Sequence, residues 1–429
     1  MEFRIADTFT DRTICGREAN PLGPGAGGAS WLLNWNRMWR VLVIAALCGG
    51  GLRAEMVLVL PFFNHSKSAN LDWIGESVAE TVRDSLSSES LLVLDRQGRL
   101  EAYRRLSLRP GAEITHASII KIGQSLDAST VIYGYFELLP AEGGKEESKS
   151  SLRITARILD LRRTRQGPAF GELGALDDLA AMEVRLGWQA LEQLRPKTTP
   201  AEEEFLKARP PVRLDAMESY VRGLLAATPE QRHRFFTQAA RLDAHYSRPC
   251  FRLGKIYWEQ KEYAIAAGWL GRVGNSDPHY LEAQFFLGLC RYYGGDLKDA
   301  EEAFQVVAAS VPLNEVYNNL GAAQAQRNDA AAASASFRKA LEGDSADPDY
   351  HFNLGCVLWQ SGQYAAAVES FRAAVARNPG DAEATVMLGR ALKQEGPRPV
   401  DPRTQARERL KTNYEEAAYR QLQAELSAK

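Results

Sequence analysis

Between Met56 and Leu194 the apolar positions switch repeatedly between two periods. Met56 to Leu60 is an unbroken apolar run stopped by Pro61, the pattern of a strand covered on both faces. Ile74, Val78, Val82 and Leu86 then recur every fourth residue, which lines them along one face of a helix, with Asp72 placed to cap it. Leu91 to Leu94 reads as a second strand, Ile119, Ile122 and Leu126 as a second helix, and Val131 to Leu139 as a third strand. Leu152, Ile154, Ala156 and Ile158 alternate with Arg153, Thr155 and Arg157, so that strand has one dry and one wet face. Residues 142–149 hold no apolar side chain and predict a hairpin loop. Leu179, Met182, Leu186, Ala190 and Leu194 stripe a last helix. The alternation of periods predicts a mixed α/β domain over residues 55–195.

Residues 196–215 carry Pro196, Pro200, Pro210 and Pro211 around Glu202 to Glu204, the composition of an interdomain linker. Beyond it a longer period appears. Gly254, Gly288, Gly321, Gly355 and Gly389 stand 34, 33, 34 and 34 residues apart. Twelve places after successive glycines come Ala266, Ala300, Ala333 and Ala367, and sixteen places after come Leu270, Phe304, Phe337 and Phe371. Pro278, Pro312, Pro348 and Pro379 punctuate the units, since proline cannot continue a helix. Small residues let two antiparallel helices approach, and the aromatic residue fills space between neighbouring units. Met217 to Tyr246, with Gly223 and Phe236, reads as a shortened first unit. On these residues the stretch 216–395 is identified as an array of about five tetratricopeptide (TPR) repeats, a right-handed α-solenoid. After Gly396 to Pro402, Leu410, Tyr414, Ala418, Leu422 and Leu426 form an apolar stripe, so 396–429 is predicted to be a helix capping the array.

In TPR proteins the concave surface is built at places 6 and 3 before and 1, 4 and 5 after the repeat glycine. Here these give Phe251, Lys255, Trp258, Phe285, Leu289, Tyr292, Tyr293, Asn318, Gln326, Phe352, Cys356 and Trp359. Such a groove is aromatic, suited to an extended peptide or a helix from a protein partner. It lacks the Lys and Arg cluster of repeats that clamp a terminal carboxylate. The competing expectation is that several of these rings pack within the array or against the other domain.

Four segments of the α/β domain carry a second resemblance. Leu60-Pro-Phe-Phe-Asn64-His-Ser66, Trp73-Ile-Gly-Glu76 with Ala79-Glu80, Leu126 to Gly134, and Leu152 to Asp160 are similar to the envelope domains of the TolB amino-terminal and FlgO-like type over roughly residues 56–194. The resemblance implies a non-catalytic module of exported, envelope-associated assemblies. The chain departs from TolB by continuing into helical repeats instead of a propeller. Asn64, Ser66, Trp73 and Glu76 read either as a ligand-receiving surface or as a strand-to-helix turn with Trp73 packed beneath it. Arg162-Arg-Thr-Arg165 reads as a solvated strand end, with an anionic polymer or membrane surface as the alternative.

Composition narrows the function. The chain of 429 residues balances 52 Lys and Arg against 54 Asp and Glu, without the basic excess of a nucleic-acid binder. Five cysteines form no C-x-x-C pair, and Cys250, Cys290 and Cys356 read as small buried apolar residues. No metal or cofactor is expected, and His245 with Cys250 cannot complete a four-ligand site. Arg40, the apolar run Val41 to Leu52 and Ala54 have the layout of a secretory signal, too short to span a membrane, with Met38 as the expected start and cleavage after Ala54. Residues 1–54 are thus a leader with a signal peptide at 38–54. Cys48 is a weaker lipoprotein signal, and Gly23 to Gly28 matches a dinucleotide-loop spacing by chance. Neither a nucleophile elbow nor a zinc-protease motif occurs. The expectation is a non-enzymatic exported scaffold, periplasmic or envelope-associated, whose groove binds a protein or peptide while the α/β domain docks on envelope components. The alternatives are a hydrolase or transferase using acids such as Glu76 and Asp95, or a cytoplasmic TPR regulator.

Overall fold

A computed structural model describes residues 56–66, 68–109, 111–139, 151–397 and 407–415, together with 418, 419, 422 and 426. The leader and the predicted hairpin loop lie outside them. The first part is a sheet with helices on both faces. Strands β1 (Met56–Val59), β2 (Phe63–Asn64), β3 (Leu92–Val93), β4 (Thr130–Leu139), β5 (Ser151–Asp160), β6 (Arg165–Gln166) and β7 (Phe170–Ala175) alternate with helices α1 (Trp73–Ser87), α2 (Arg96–Arg105), α3 (His116–Ser125) and α4 (Leu179–Leu194). The sheet runs β3-β1-β4-β5-β6, with β2 added to β4 and β7 to β5. β1 is parallel to β3 and β4, whereas β5 is antiparallel to β4, β6 and β7.

The unbroken apolar run of β1 is explained by its neighbours. Val57 and Val59 pack with Ile74, Val78 and Val82 of α1, and Leu58 and Leu60 pack on the opposite face with Tyr103 of α2 and Ile119 and Ile122 of α3. In β5 Leu152, Ile154 and Ala156 are buried and Arg153 is exposed, the predicted dry and wet faces. Asp72 differs from expectation: its carboxylate caps nothing and instead accepts from Asn64 Nδ2 at 2.7 Å.

Residues 196–215 are not a free spacer. They contain helix α5 (Glu202–Lys207), whose Phe205 is buried. The Arg209 guanidinium lies 3.7 Å from the Phe205 ring centroid and 2.5 Å from Glu89, tying the segment to the α/β part. The helices then pair: α6 (Leu214–Leu225) with α7 (Pro229–Leu242), α8 (Ser247–Glu259) with α9 (Tyr263–Leu270), α10 (Tyr280–Gly294) with α11 (Leu297–Ser310), α12 (Asn314–Gln326) with α13 (Ala330–Gly343), and α14 (Pro348–Gln360) with α15 (Tyr364–Arg377). Helix α16 (Ala382–Leu392) follows. The repeat aromatic packs against the glycine of its own pair. A Cβ on Gly288 would stand 2.7 Å from Phe304, and one on Gly321 would stand 2.8 Å from Phe337.

The sheet and the repeats form one compact unit. Helix α1 is buried on all sides, its inner face on the sheet and its outer face on α6 and α8. That outer face adds an ionic layer beside the apolar core that the sheet shares with Met217, Tyr220 and Val221 of α6. Arg83 binds Glu80 at 2.9 Å and Asp84 at 2.6 Å, and Arg248 of α8 reaches Asp84 at 3.0 Å. The predicted capping helix needs correction. Residues 407–415 form no helix and bend at 412 and 413, so Leu410 and Tyr414 share no helix, while Ala418, Tyr419, Leu422 and Leu426 are helical. The stretch runs along the inner helices of the array and reaches Asp381 and Glu383 at the start of α16.

Candidate functional site

The first helices of successive repeats set equivalent side chains side by side, and three asparagines there hold the main chain of residues 409–411. Asn353 accepts from the Arg409 N–H at 2.7 Å and donates to the Arg409 carbonyl at 2.9 Å. Asn319 does the same for Lys411, at 2.8 Å in both directions. Asn318 donates to the Arg409 carbonyl at 2.8 Å, and its own oxygen accepts from Asn353 at 2.7 Å. All three asparagines are fully buried, so each bond forms away from competing water. In an extended chain the N–H and C=O of one residue point the same way, and the direction recurs two residues on. Two asparagines one repeat apart therefore read residues 409 and 411.

The side chains of the same two residues enter an acidic wall. Arg409 reaches Asp381 at 2.5 and 3.0 Å, Glu383 at 3.0 Å and Asp349 at 3.2 Å, and its guanidinium lies 3.6 Å from the Phe352 ring centroid. Lys411 Nζ is 2.7 Å from both Asp347 and Asp349 and 5.2 Å from the Tyr350 ring. Its hydrogen bond to Arg409, against some burial, holds the Asp381 carboxyl below the usual range. Burial would lower the Lys411 pKa, but Asp347 and Asp349 outweigh it and raise it. Glu408 is buried beside Tyr292 and accepts from Gln326 at 2.6 Å; burial keeps its pKa raised. Downstream, Tyr414 meets Phe285 edge-on at 5.1 Å, and the Glu415 N–H donates to Glu315 at 3.0 Å.

The structure thus brings Phe285, Tyr292, Asn318, Gln326 and Phe352 to this segment and sends the other predicted groove residues elsewhere. Trp359 is fully buried, donates to the Glu395 carbonyl at 2.6 Å and lies under Arg390. Leu289 and Cys356 are core residues. Phe251 stacks on His279 at 4.7 Å. Trp258 packs among Tyr263, Phe286 and Tyr293, of which Tyr293 stays 45% exposed. Lys255 sits 3.5 Å over the Phe286 ring and 3.4 Å from Glu282, and burial pulls its pKa down. Phe251, Lys255 and Phe286 border a cavity of about 660 Å³ between the α/β part, the first repeats and Tyr414.

The residues that sequence reasoning missed had a signal. Asn319 and Asn353 each stand two places before a repeat glycine, a place outside the expected set. The place six before the glycine was in that set, yet its acids went unread: Glu282, Glu315, Asp349 and Glu383 occupy it in four successive repeats. In the α/β part, Asn64 accepts from the Ser66 N–H at 2.8 Å and donates to the Ser68 carbonyl at 3.0 Å, while Trp73 is buried, so this is a self-satisfied turn. Burial would raise the Glu76 pKa, but Arg99 and Arg96 outweigh it and lower it; the Arg96 contact is 2.5 Å. Asp95 caps α2 through Gly98 at 2.9 Å. Cys250, Cys290 and Cys356 are buried free thiols, and no group of three or more metal-ligating side chains occurs among the described residues.

Comparison with known families matches the tetratricopeptide repeat at residues 251–315 and 352–396, and again, by a second profile of that repeat, at 315–347. No curated protein matches the chain. Among solved structures, a MamA fragment from Desulfovibrio magneticus RS-1 is 20% identical and covers 39% of this chain and 95% of its own, with a TM-score of 0.35. Another MamA structure is 21% identical, covering 35% of this chain and 82% of its own, with a TM-score of 0.33. YrrB, titled a TPR protein with an unusual peptide-binding site, is 20% identical, covering 37% and 84%, with a TM-score of 0.33. Residues 251–396 are thus tetratricopeptide repeats, a protein-interaction fold.

Proposed function

We propose that the chain is a non-enzymatic scaffold whose inner repeat helices hold an extended segment of a protein partner. The observation that carries this reading is the grip of Asn318, Asn319 and Asn353 on the main chain of residues 409–411. Main-chain recognition suits a polypeptide ligand of extended form and no other class of molecule. The two acids considered for catalysis are engaged otherwise: Glu76 neutralises two arginines and Asp95 caps a helix. Export to the periplasm or envelope, with the α/β part docking on envelope components, is supported by the layout of residues 38–54 and by the TolB amino-terminal and FlgO-like motifs.

The groove reading is tested by retention of extended peptides on the immobilised full chain. In a chain whose own segment is released by Arg409→Ala/Lys411→Ala, each of Asn319→Ala and Asn353→Ala removes a two-bond clamp, so peptide affinity should fall about tenfold, the size of one or two buried hydrogen bonds. Retention unchanged in both variants would place the binding surface elsewhere. Recovery of the chain from the cytoplasmic fraction would contradict export and leave the groove untouched.

A further inference from the structure

We propose that the groove selects an extended segment bearing two cationic side chains two residues apart, and that residues 407–415 are the chain's own competitor for it. The inference rests on the scaffold reading above and names its ligand and its control. The asparagines read main chain only and cannot choose a sequence. The acids can. Glu282, Glu315, Asp349 and Glu383 recur at one place of successive repeats, and Asp347 and Asp381, each capping the next helix, stand eight places before Gly355 and Gly389. Carboxylates one repeat apart are matched by cations on every second residue of an extended chain, since those side chains leave the same face. Arg409 and Lys411 meet this condition, with Asp349 shared between them. Leu410 between them packs on the apolar cores of the array. A partner segment with acids at either place would set carboxylate against carboxylate in a partly buried site, which is selection by repulsion.

Occupancy by the chain itself has a kinetic and thermodynamic consequence. A segment tethered within the molecule competes at an effective concentration on the order of millimolar. A partner therefore has to carry the same register, and bind more tightly or at high local concentration, before the groove opens to it.

The test uses the full chain and a labelled nonapeptide with the sequence of residues 407–415, followed by fluorescence anisotropy. Wild type should bind it at least tenfold more weakly than the variant Arg409→Ala/Lys411→Ala, whose own segment no longer competes. In that variant, with Arg407→Ala in both peptides so that no other cation stands two residues from Arg409, a peptide with the residues at 410 and 411 exchanged, which makes the cations adjacent, should bind at least tenfold more weakly than the native order. Equal affinity of wild type and variant overturns the competitor. Equal affinity for the two peptides overturns the register but spares the scaffold reading. A folded variant that holds no peptide of any sequence overturns the scaffold reading itself. A wild-type dimer in sedimentation that the double substitution dissolves shows the segment in a second copy's groove and overturns self-occupancy within one chain. If the double variant fails to fold, Arg409→Gln, which keeps a stem over Phe352, takes its place with the same expected direction.

Discussion

At the scale of single residues, the fold tolerates buried charge only where a partner answers it, and Glu183 shows what happens otherwise. It is fully buried on α4, accepts from Thr81 at 2.7 Å through one oxygen, and has no hydrogen-bond partner for the other. Burial raises its pKa from an ordinary 4.5 to about 7. The folded state thus keeps a proton that the unfolded chain releases above pH 4.5. Stability from this group is complete below pH 4.5 and is lost as pH rises through 7, by roughly 2 to 4 kcal/mol in total. Glu183→Gln should therefore unfold at nearly the wild-type denaturant concentration at pH 4 and at a higher one at pH 8. A difference between the two proteins that does not grow with pH would contradict the assignment. Glu76 is the opposite case, since two arginines keep it ionised.

At the scale of elements, the repeat glycines separate packing from propensity. A Cβ at Gly321 would fall 2.8 Å from the buried Phe337 ring, whereas one at Gly389 would meet nothing within 4 Å. Gly321→Ala should cost about 1 to 2 kcal/mol net, overpacking exceeding the helix gain, and Gly389→Ala should gain up to about 1 kcal/mol. Urea unfolding of the two variants checks both signs. The same elements show how far sequence reading reached. The 34-residue period located the helix pairs because it is set by local packing that every unit repeats. Strands β1, β3, β4 and β5 were legible, β1 because it is apolar on both faces and β5 on one, whereas β2, β6 and β7 carry no buried side chain to mark them. Residues 407–415 were misread as helix because Leu410 and Tyr414, four places apart, fit a helical stripe as well as a non-helical chain with alternate anchors. What decided between them was long-range, the asparagines and acids 26 to 100 residues away in sequence.

At the scale of the molecule, the sheet, the repeats and the final segment share one apolar core, running from β1 through the first repeats to Leu410 and Tyr414, and charge pairs reinforce it. Arg248 and Asp84 bind the repeats to α1, and Arg409 and Lys411 bind the final segment to α14 and α16. On α16, Val386 and Leu392 are more than half exposed, at 53% and 54%. A segment that would have capped the array serves instead as the polypeptide its groove holds. The groove's asparagines were illegible for the same reason that they work: a lone Asn pair one repeat apart carries no periodic apolar signal, and its meaning appears only with an extended chain laid across it. Amide hydrogen exchange in the intact chain tests that grip most directly. The account predicts slow exchange at Arg409 and Lys411, whose N–H groups donate to Asn353 and Asn319, with faster exchange at Leu410 between them. Exchange at all three positions at the rate of an unstructured peptide would contradict it.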